Sequence, residues 1–209
     1  DVHENYHLEM LVRDYLPKPI RKPLSWAVWL VSFIGGGIIG NLVFVLPSQK
    51  RDYPNWCRTL VMRNLASRDM GLASDTELQL GERKKAAIFI GGLYLENGCW
   101  LLLDVAEELK SIAPDITLYV TKRFRDEGIR TRFMKELEER HLTNIEMLDQ
   151  VKPNEVRVLL EKAQVGLHLA LQVPNMMNGL PTKVFEYIAN GLLVVSSELP
   201  NIRALDLES

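Results

Sequence analysis

The chain has 209 residues, which is room for one large domain or two small ones. With 47% apolar and 25% charged residues, its composition is globular and excludes disordered, collagen-like and low-complexity proteins. A formal net charge of −2 excludes the basic excess that is typical of nucleic-acid-binding domains. Its two cysteines, Cys57 and Cys99, have no metal-ligand spacing and suit a reducing compartment, and its four histidines are scattered.

Helical and strand patterns alternate along the chain. Apolar residues at helical spacing predict helices over residues 6–18, 99–112, 127–141, 154–163 and 181–191, with another helix opening at Pro23. Short apolar runs predict strands over residues 60–63, 86–92, 116–121, 144–148, 165–171 and 192–197. Alternation of apolar strands with helices predicts an α/β fold whose parallel sheet is doubly wound, as in Rossmann-like domains.

Residues 24–46 contain no charge and could by length cross a membrane. The alternative is a buried helix over residues 24–34, a glycine turn at residues 35–37 and a buried strand over residues 42–46. Consecutive glycines would each cost a helix about 1 kcal/mol relative to alanine. We therefore favour the helix, turn and strand, and keep the membrane span as the alternative.

A domain boundary is expected where periodicity is lost, over residues 64–84, which are rich in Ser, Asp and Gly. We place it between a first domain over residues 1–75 and a second over residues 76–209. Since the chain starts at Asp1 without an initiator Met and stops at Ser209 as a new element begins, we expect an internal piece of a longer protein.

Ligands of open parallel sheets bind beyond the carboxyl ends of the strands. This rule selects the loops over residues 91–98, 121–125, 171–180 and 196–200. In the first loop, Gly91 and Gly92 would let backbone N–H groups approach a phosphate, although a tight strand–helix turn explains them equally well. In the second, a basic cluster could meet a diphosphate or be a solvated loop; its members are Lys122, Arg123 and Arg125.

The most informative segment is GLPTKVFEYIANG at residues 179–191. Lys183 would lie in the first turn of its helix, against the helix dipole, a place that suits a bound anion. Glu186, one turn later, could accept hydrogen bonds from the hydroxyls of a ribose; a solvated Lys–Glu pair is the alternative. At about 100° per residue the helix has a polar face of Lys183, Glu186, Tyr187 and Asn190 and a packed face of Val184, Phe185, Ile188 and Ala189.

Two histidines are candidates for a site. His3, beside Glu4 at the start of the chain, could face a cleft, although a single histidine is more often structural. His168 reads as a strand residue with a hydrogen-bonded ring, near the edge where a ligand would bind.

Residues 179–200, GLPTKVFEYIANGLLVVSSELP, resemble the donor-site segment of glycosyltransferase family 4, in which P-x-K-x-x-E-Y-x-A-x-G precedes a strand. FIGG at residues 89–92 resembles the donor-phosphate loop of that family. DVHENYHLEMLVRDYLP at residues 1–17 resembles its D-x-H-E stretch, and RN at residues 63–64 its entry to the interdomain linker. The resemblance covers most of the chain, in order.

This resemblance implies a GT-B fold, with a partial acceptor-side domain over residues 1–75 and a truncated nucleotide-sugar donor domain over residues 76–209. Glu186 would hold the ribose and Lys183 would lie near the diphosphate. Gly91 and Gly92 would back the phosphates, and His3 would face the transferred sugar. The predicted catalytic residues are Lys183 and His3, and the predicted donor-binding residues are Gly91, Gly92, Asn178, Pro181, Thr182, Lys183 and Glu186.

The function that the resemblance implies is transfer of a sugar from a nucleotide-diphosphate sugar to a hydroxyl of a glycan or lipid-linked acceptor, with retention of configuration. No metal or other cofactor is expected, and the sugar nucleotide is a co-substrate. The expected location is the cytoplasm, with peripheral contact at the inner face of the membrane as an option.

Three departures from the family pattern leave alternatives open. Asn178 stands where a carboxylate is common, the loop LYLEN at residues 93–97 has no basic residue, and Leu193 stands where proline is common. The lost cations would weaken stabilisation of the leaving group unless Lys183 or the basic cluster replaces them. A catalytically inactive nucleotide-binding fragment, a module anchored in a membrane through residues 24–46 and a GT-B-like sugar-nucleotide epimerase are the alternatives.

Overall fold

The computed structural model describes residues 2, 5–13, 15–62, 83–150, 152, 155–177 and 179–203. The chain divides into two compact units. The first unit comprises residues 1–64, 172–180 and 198–209, and the second comprises residues 65–171 and 181–197. The boundary predicted between residues 75 and 76 lies outside the described residues and stays a prediction.

The helices and strands alternate through most of the described chain. In chain order they are α1 (Tyr6–Val12), α2 (Lys18–Ile39), β1 (Asn41–Phe44), β2 (Arg58–Val61), β3 (Ala86–Phe89), α3 (Cys99–Ile112), β4 (Thr117–Thr121), α4 (Glu127–Glu139), β5 (Ile145–Leu148), α5 (Val156–Leu160), β6 (Val165–His168), α6 (Pro174–Met177), α7 (Thr182–Ala189), β7 (Leu193–Ser196) and α8 (Pro200–Arg203).

Helix α2 of the first unit runs through the glycines, so the turn predicted at residues 35–37 is wrong. The helix ends at Gly40, whose φ of 70° is left-handed and favours glycine. A β-carbon on Gly36 would overlap the ring of Tyr53. The lack of a side chain at Gly36 therefore serves close packing of the helix rather than a change of chain direction.

Helix α2 has 22 residues and is, by length and composition, apolar enough to cross a membrane. It begins at Lys18 rather than at Pro23, and only Ser25 and Gly36 of the helix are buried. Its exposed large apolar side chains are Ile20, Trp26, Val31, Ile34, Ile38 and Ile39. β1 follows α2 and pairs in parallel with β2.

The second unit is built on a five-stranded parallel sheet in the order β5-β4-β3-β6-β7. From β3 the chain winds outward through β4 to β5 and then crosses to the other side for β6 and β7. This arrangement confirms the predicted doubly wound, Rossmann-like α/β fold. β3 and β6 pair only through Ala87 with Val165 and Ile88 with Gly166, so the strands part beyond this point. The strand order reverses between β3 and β6, and in sheets of this kind the ligand crevice lies at such a point, outside the carboxyl ends of the strands.

The sheet of the second unit has an apolar core on each face. Successive residues of β3 point to opposite faces, and Ile88 and Phe89 are both fully buried. Phe89 packs with buried residues of α3 and α4, such as Leu102 and Phe133. Ile88 packs with buried residues of α5 and α7. The two cores fix β3 and α7, which bear the candidate site.

Candidate functional site

The candidate site lies at the carboxyl edge of the five-stranded sheet. Gly91 follows β3, Thr121 ends β4, His168 ends β6 and Ser196 ends β7. The first turn of α7 brings Lys183 to the same edge, beside Gly91. These residues come from five separate elements, so only the folded sheet assembles them.

The Lys183 ammonium lies beside Gly91, on the side where a side chain would project from that residue. Gly91 has a φ of 121°, and a β-carbon placed on it would lie 3.0 Å from Nζ of Lys183. The Lys183 ammonium also lies 4.9 Å from the centroid of the Phe89 ring. Any side chain at Gly91 would be strained by this φ and would press on the lysine. The glycine therefore leaves the space that the ammonium occupies.

Burial shifts the pKa values of both Lys183 and Glu186 in favour of the neutral forms, and the charge of each residue reduces the shift of the other. Burial lowers the pKa of Lys183 to about 8, partly offset by the carboxylate of Glu186. Burial likewise raises the pKa of Glu186, and the charge of Lys183 opposes this rise. At neutral pH the lysine is still mostly protonated, so a poorly hydrated cation lies at the carboxyl edge of the sheet, beside Gly91. Such a group binds an anion well because little water has to be removed from it.

The first N–H group of the glycine loop, that of Gly91, is used in a hydrogen bond within the protein. The N–H of Gly91 donates to Oγ1 of Thr121 at 3.0 Å, and that hydroxyl donates to the carbonyl of Gly91 at 3.1 Å. A β-carbon on Gly92 would overlap the ring of Tyr94, and its carbonyl accepts from Nδ2 of Asn97 at 2.8 Å. Thus Gly91 provides space for Lys183 and Gly92 provides space for Tyr94; their contact with phosphate stays a prediction.

The predicted faces of α7 are partly wrong. Tyr187 and Asn190, placed on the polar face, are fully buried, whereas Ile188, placed on the packed face, is 42% exposed. The Tyr187 hydroxyl accepts from the N–H of Ile90 at 3.1 Å. The carbonyl of Asn190 accepts from Nη2 of Arg83 at 2.7 Å. That bond is to the backbone of Asn190, whose side chain donates from Nδ2 to the backbone carbonyl of Glu186 at 2.8 Å. Both buried side chains therefore take part in hydrogen bonds within the protein.

His168 is a buried strand residue with a hydrogen-bonded ring, as the sequence predicts. Its Nδ1 lies 3.0 Å from Oγ of Ser196, which itself donates to the carbonyl of Ser197 at 3.0 Å. Because that hydroxyl proton is used, Nδ1 is the donor of this hydrogen bond. Burial, with the nearby charge of Lys183, lowers the pKa of His168 to about 4. His168 is therefore a neutral neighbour of the lysine.

The basic cluster after β4 splits in two directions. Nζ of Lys122 lies 3.0 Å from Oδ1 of Asp149, beyond the end of β5. Nη1 of Arg125 instead lies 3.2 Å from Oε1 of Glu96, in the loop after β3. Among the described residues, no group of three or more His, Cys, Asp or Glu side chains could hold a metal ion.

The family model of the glycosyl transferases group 1 matches residues 73–205. The chain belongs to the glycosyl transferases group 1. No curated protein matches the chain. Its strands and helices are those of GT-B glycosyltransferase structures, whereas placement in glycosyltransferase family 4 stays a prediction.

Solved structures share the fold of this group 1 chain. Alr3699/HepE of Anabaena in complex with UDP is 13% identical, with a TM-score of 0.67 over 86% of this chain and 50% of that one. TarM of S. aureus is 13% identical, with a TM-score of 0.64 over 84% of this chain and 32% of that one. The pneumococcal O-GlcNAc transferase GtfA, in complex with UDP and GlcNAc, is 14% identical, with a TM-score of 0.58 over 81% and 32%. The group 1 chain thus spans a third to a half of these structures.

Two of the predicted donor-binding residues, Pro181 and Thr182, lie at the start of α7. Pro181 caps the amino terminus of α7 and Thr182 is the first residue of that helix. Both are partly buried, and neither has a side-chain cap hydrogen bond. His3 and Asn178 lie outside the described residues. The binding and catalytic roles of all predicted site residues stay predictions.

Sequence reasoning missed three residues that make contacts at or near the candidate site. The Thr121 hydroxyl accepts a hydrogen bond from the N–H of Gly91, and the Tyr187 hydroxyl accepts one from the N–H of Ile90, just after β3. Glu96 forms an ion pair with Arg125. Thr121 is a buried polar residue that directly follows Leu118, Tyr119 and Val120 at the carboxyl end of β4, and this place could have marked it. Nothing local marks Glu96, because its partner is far away in the sequence.

Proposed function

We propose that this chain is the nucleotide-sugar-binding part of a glycosyltransferase that moves a sugar to an acceptor hydroxyl with retention of configuration. The observation on which this proposal depends is the position of the Lys183 ammonium beside Gly91, at the carboxyl edge of the sheet. Membership of the glycosyl transferases group 1 supports the reaction class. The binding of UDP by Alr3699/HepE and of UDP and GlcNAc by GtfA supports a nucleotide-diphosphate sugar as donor.

The chemistry follows from where charge develops. As the bond between the anomeric carbon and the diphosphate breaks, negative charge grows on the leaving oxygen, and the Lys183 ammonium would neutralise it. The carboxylate of Glu186 would accept from the hydroxyls of the ribose. The acceptor oxygen bonds to the anomeric carbon on the face that the diphosphate leaves, and its proton passes to the released diphosphate oxygen. The donor is a co-substrate, and the proposal includes neither a metal nor another cofactor.

Titration of nucleoside diphosphates tests the donor site. We expect UDP, GDP or ADP to bind to the wild-type chain by calorimetry, and Lys183→Ala to weaken this binding by about tenfold or more, as expected for one charged hydrogen bond. Lys135→Ala is the matched control, because Lys135 is exposed on α4 in a surface ion pair with Glu139. Absence of binding by every nucleoside diphosphate would refute the proposal.

Sugar transfer separates the enzyme from its alternatives. Supplying UDP-sugars with glycan or lipid-linked acceptors should yield UDP and a glycosylated product. Binding without any release of sugar would favour the inactive nucleotide-binding fragment, and a changed hexose without acceptor would favour the epimerase. We propose that His3 faces the transferred sugar, so His3→Ala should lower transfer while UDP binding is kept.

We also propose that the protein works in the cytoplasm, in peripheral contact with the inner face of the membrane through α2. Residues 15–62 contain six basic residues and one acidic residue. The basic residues are Lys18, Arg21, Lys22, Lys50, Arg51 and Arg58. An exposed apolar helix face among such charges suits an anionic lipid surface.

Vesicle flotation tests the membrane contact. The protein should float with vesicles rich in phosphatidylglycerol and much less with phosphatidylcholine alone. Ile34→Glu on the exposed face of α2 should abolish flotation, whereas Val158→Glu, an equally exposed apolar residue of α5, should not. Retention after carbonate extraction would instead favour a membrane span, and equal flotation of the Ile34→Glu variant would refute the contact.

A further inference from the structure

The loop after β3 has no basic residue of its own, yet a cation from another loop lies against it. Nη1 of Arg125 lies 3.2 Å from Oε1 of Glu96. Its guanidinium carbon lies 4.3 Å from the centroid of the Tyr94 ring, a cation–π contact. Arg125 therefore touches two residues of the LYLEN segment.

A backbone bridge fixes this approach. The N–H of Leu93 donates to the carbonyl of Arg123 at 2.6 Å, and the N–H of Arg125 donates to the carbonyl of Leu93 at 3.4 Å. Leu93 and Phe124 thereby form a parallel bridge that extends the pairing of β3 with β4. The position of Arg125 beside the glycine loop is thus set by main-chain bonds and not only by its flexible side chain.

The ion pair is asymmetric. The Glu96 side chain is only 5% exposed, whereas the Arg125 side chain is 32% exposed. One carboxylate oxygen, Oε2 of Glu96, is buried and has no hydrogen-bond partner within the part of the chain that the structure describes. The buried carboxylate thus holds one N–H group of Arg125, while the guanidinium, with five N–H donors in all, stays partly exposed and has donors for another anion.

The ring of Tyr94 connects this pair with the glycine loop. Gly92 has room only for that ring, and the Lys183 ammonium lies beside Gly91, next to it. Arg125 therefore stacks on the ring that packs at Gly92, and Lys183 lies at Gly91, the preceding residue of the same loop. Lys122, in contrast, is paired with Asp149 at the far strand.

We infer that Arg125, held by Glu96 and Tyr94, supplies the donor diphosphate with the cation that residues 93–97 lack. The inference rests on the proposed function, because it assigns a ligand to the same crevice. A guanidinium binds phosphate oxygens through paired N–H groups, which suits the second phosphate beside the one at Lys183. Glu96 is a positioning residue that orients the guanidinium.

The experiment compares Arg125→Gln with Lys122→Gln, a neutralised neighbour in the same loop. UDP, inorganic pyrophosphate and uridine are titrated calorimetrically against each variant. We expect Arg125→Gln to weaken UDP and pyrophosphate about tenfold and to leave uridine unchanged. Arg125→Lys should recover part of the loss, and Lys122→Gln should change none of the three by more than about twofold.

Folding is controlled with a double variant. Arg125→Gln leaves the buried carboxylate of Glu96 unpaired and could unfold the chain, so Glu96→Gln/Arg125→Gln is measured as well. The double variant should keep the wild-type melting temperature and still show the loss for UDP and pyrophosphate. Wild-type affinity in the folded double variant would overturn the inference alone. Failure of the wild-type chain to bind any of UDP, GDP and ADP would overturn both the inference and the proposed function.

Discussion

The hydroxyl of Tyr187 accepts a hydrogen bond from the backbone N–H of Ile90 at 3.1 Å, which joins the middle of α7 to the end of β3. The same hydroxyl donates to the carbonyl of Leu167 in β6 at 3.2 Å. It thus bridges β3 and β6 where their own pairing has ended. Because Lys183 lies one turn earlier on α7, this bridge fixes the position of the lysine relative to Gly91.

Tyr187→Phe should destabilise the second unit. The substitution keeps the ring but leaves the buried N–H of Ile90 and the carbonyl of Leu167 without this partner, at a cost on the order of 2 kcal/mol. Urea unfolding measures the free energy of unfolding. Tyr119→Phe is the control, since that tyrosine is also buried in the sheet but its hydroxyl has no hydrogen bond in the described residues. Equal losses in the two variants would contradict the bridge.

Gly166→Ala should act on the same contact from the other side. A β-carbon at Gly166 would overlap the ring of Tyr187, so the substitution should cost about 1–3 kcal/mol and displace α7. Gly35→Ala in α2 is the control, because no heavy atom lies within 4 Å of the β-carbon position. That change should instead stabilise the chain by up to about 1 kcal/mol. A neutral Gly166→Ala would show that the ring is not held there.

Binding of UDP should weaken as the pH rises through about 8. The pKa of Lys183 is lowered to about 8, so the free protein loses this positive charge above that pH, whereas the diphosphate stays anionic. Calorimetry between pH 7 and 9.5 measures the change. In Lys183→Arg the guanidinium stays charged, so its affinity should be flat over this range. A wild-type profile as flat as that of Lys183→Arg would exclude Lys183 as the anion-binding group.

Acid should destabilise the fold through His168. The pKa of this buried ring is lowered from 6.5 to about 4, so the unfolded chain binds a proton between these values that the folded chain does not. Stability is therefore complete above pH 6.5, falls as the pH drops and has lost roughly 3 kcal/mol below pH 4. Urea unfolding at several pH values should show this loss in wild type and not in His168→Gln.

The control for the acid effect is His141→Asn. His141 is exposed and has a φ of 51°, a left-handed conformation that asparagine tolerates. The variant should keep the wild-type pH dependence. If the acid effect were lost in His141→Asn and kept in His168→Gln, it would arise from His141, and the prediction for His168 would be wrong.

Local periodicity was enough to predict most elements of the second unit. The predicted helix over residues 99–112 matches α3 (Cys99–Ile112), and each predicted strand there lies within two or three residues of the observed one. The alternation of strands and helices also predicted the parallel sheet and its carboxyl edge. These features depend on residues close in sequence, because the repeat of a helix or strand is short.

The tertiary structure alone decided which side chains meet. Gly36 stays helical because Tyr53 packs on it, although three glycines in a row favour a turn. Tyr187 is buried because Ile90 and Leu167 satisfy its hydroxyl, although its place on the helix predicted exposure. Arg125 pairs with Glu96 across two loops. The sequence by itself determined the elements and their order, since local repeats specify them, whereas the partners of the polar groups come from distant segments that only the folded sheet brings together.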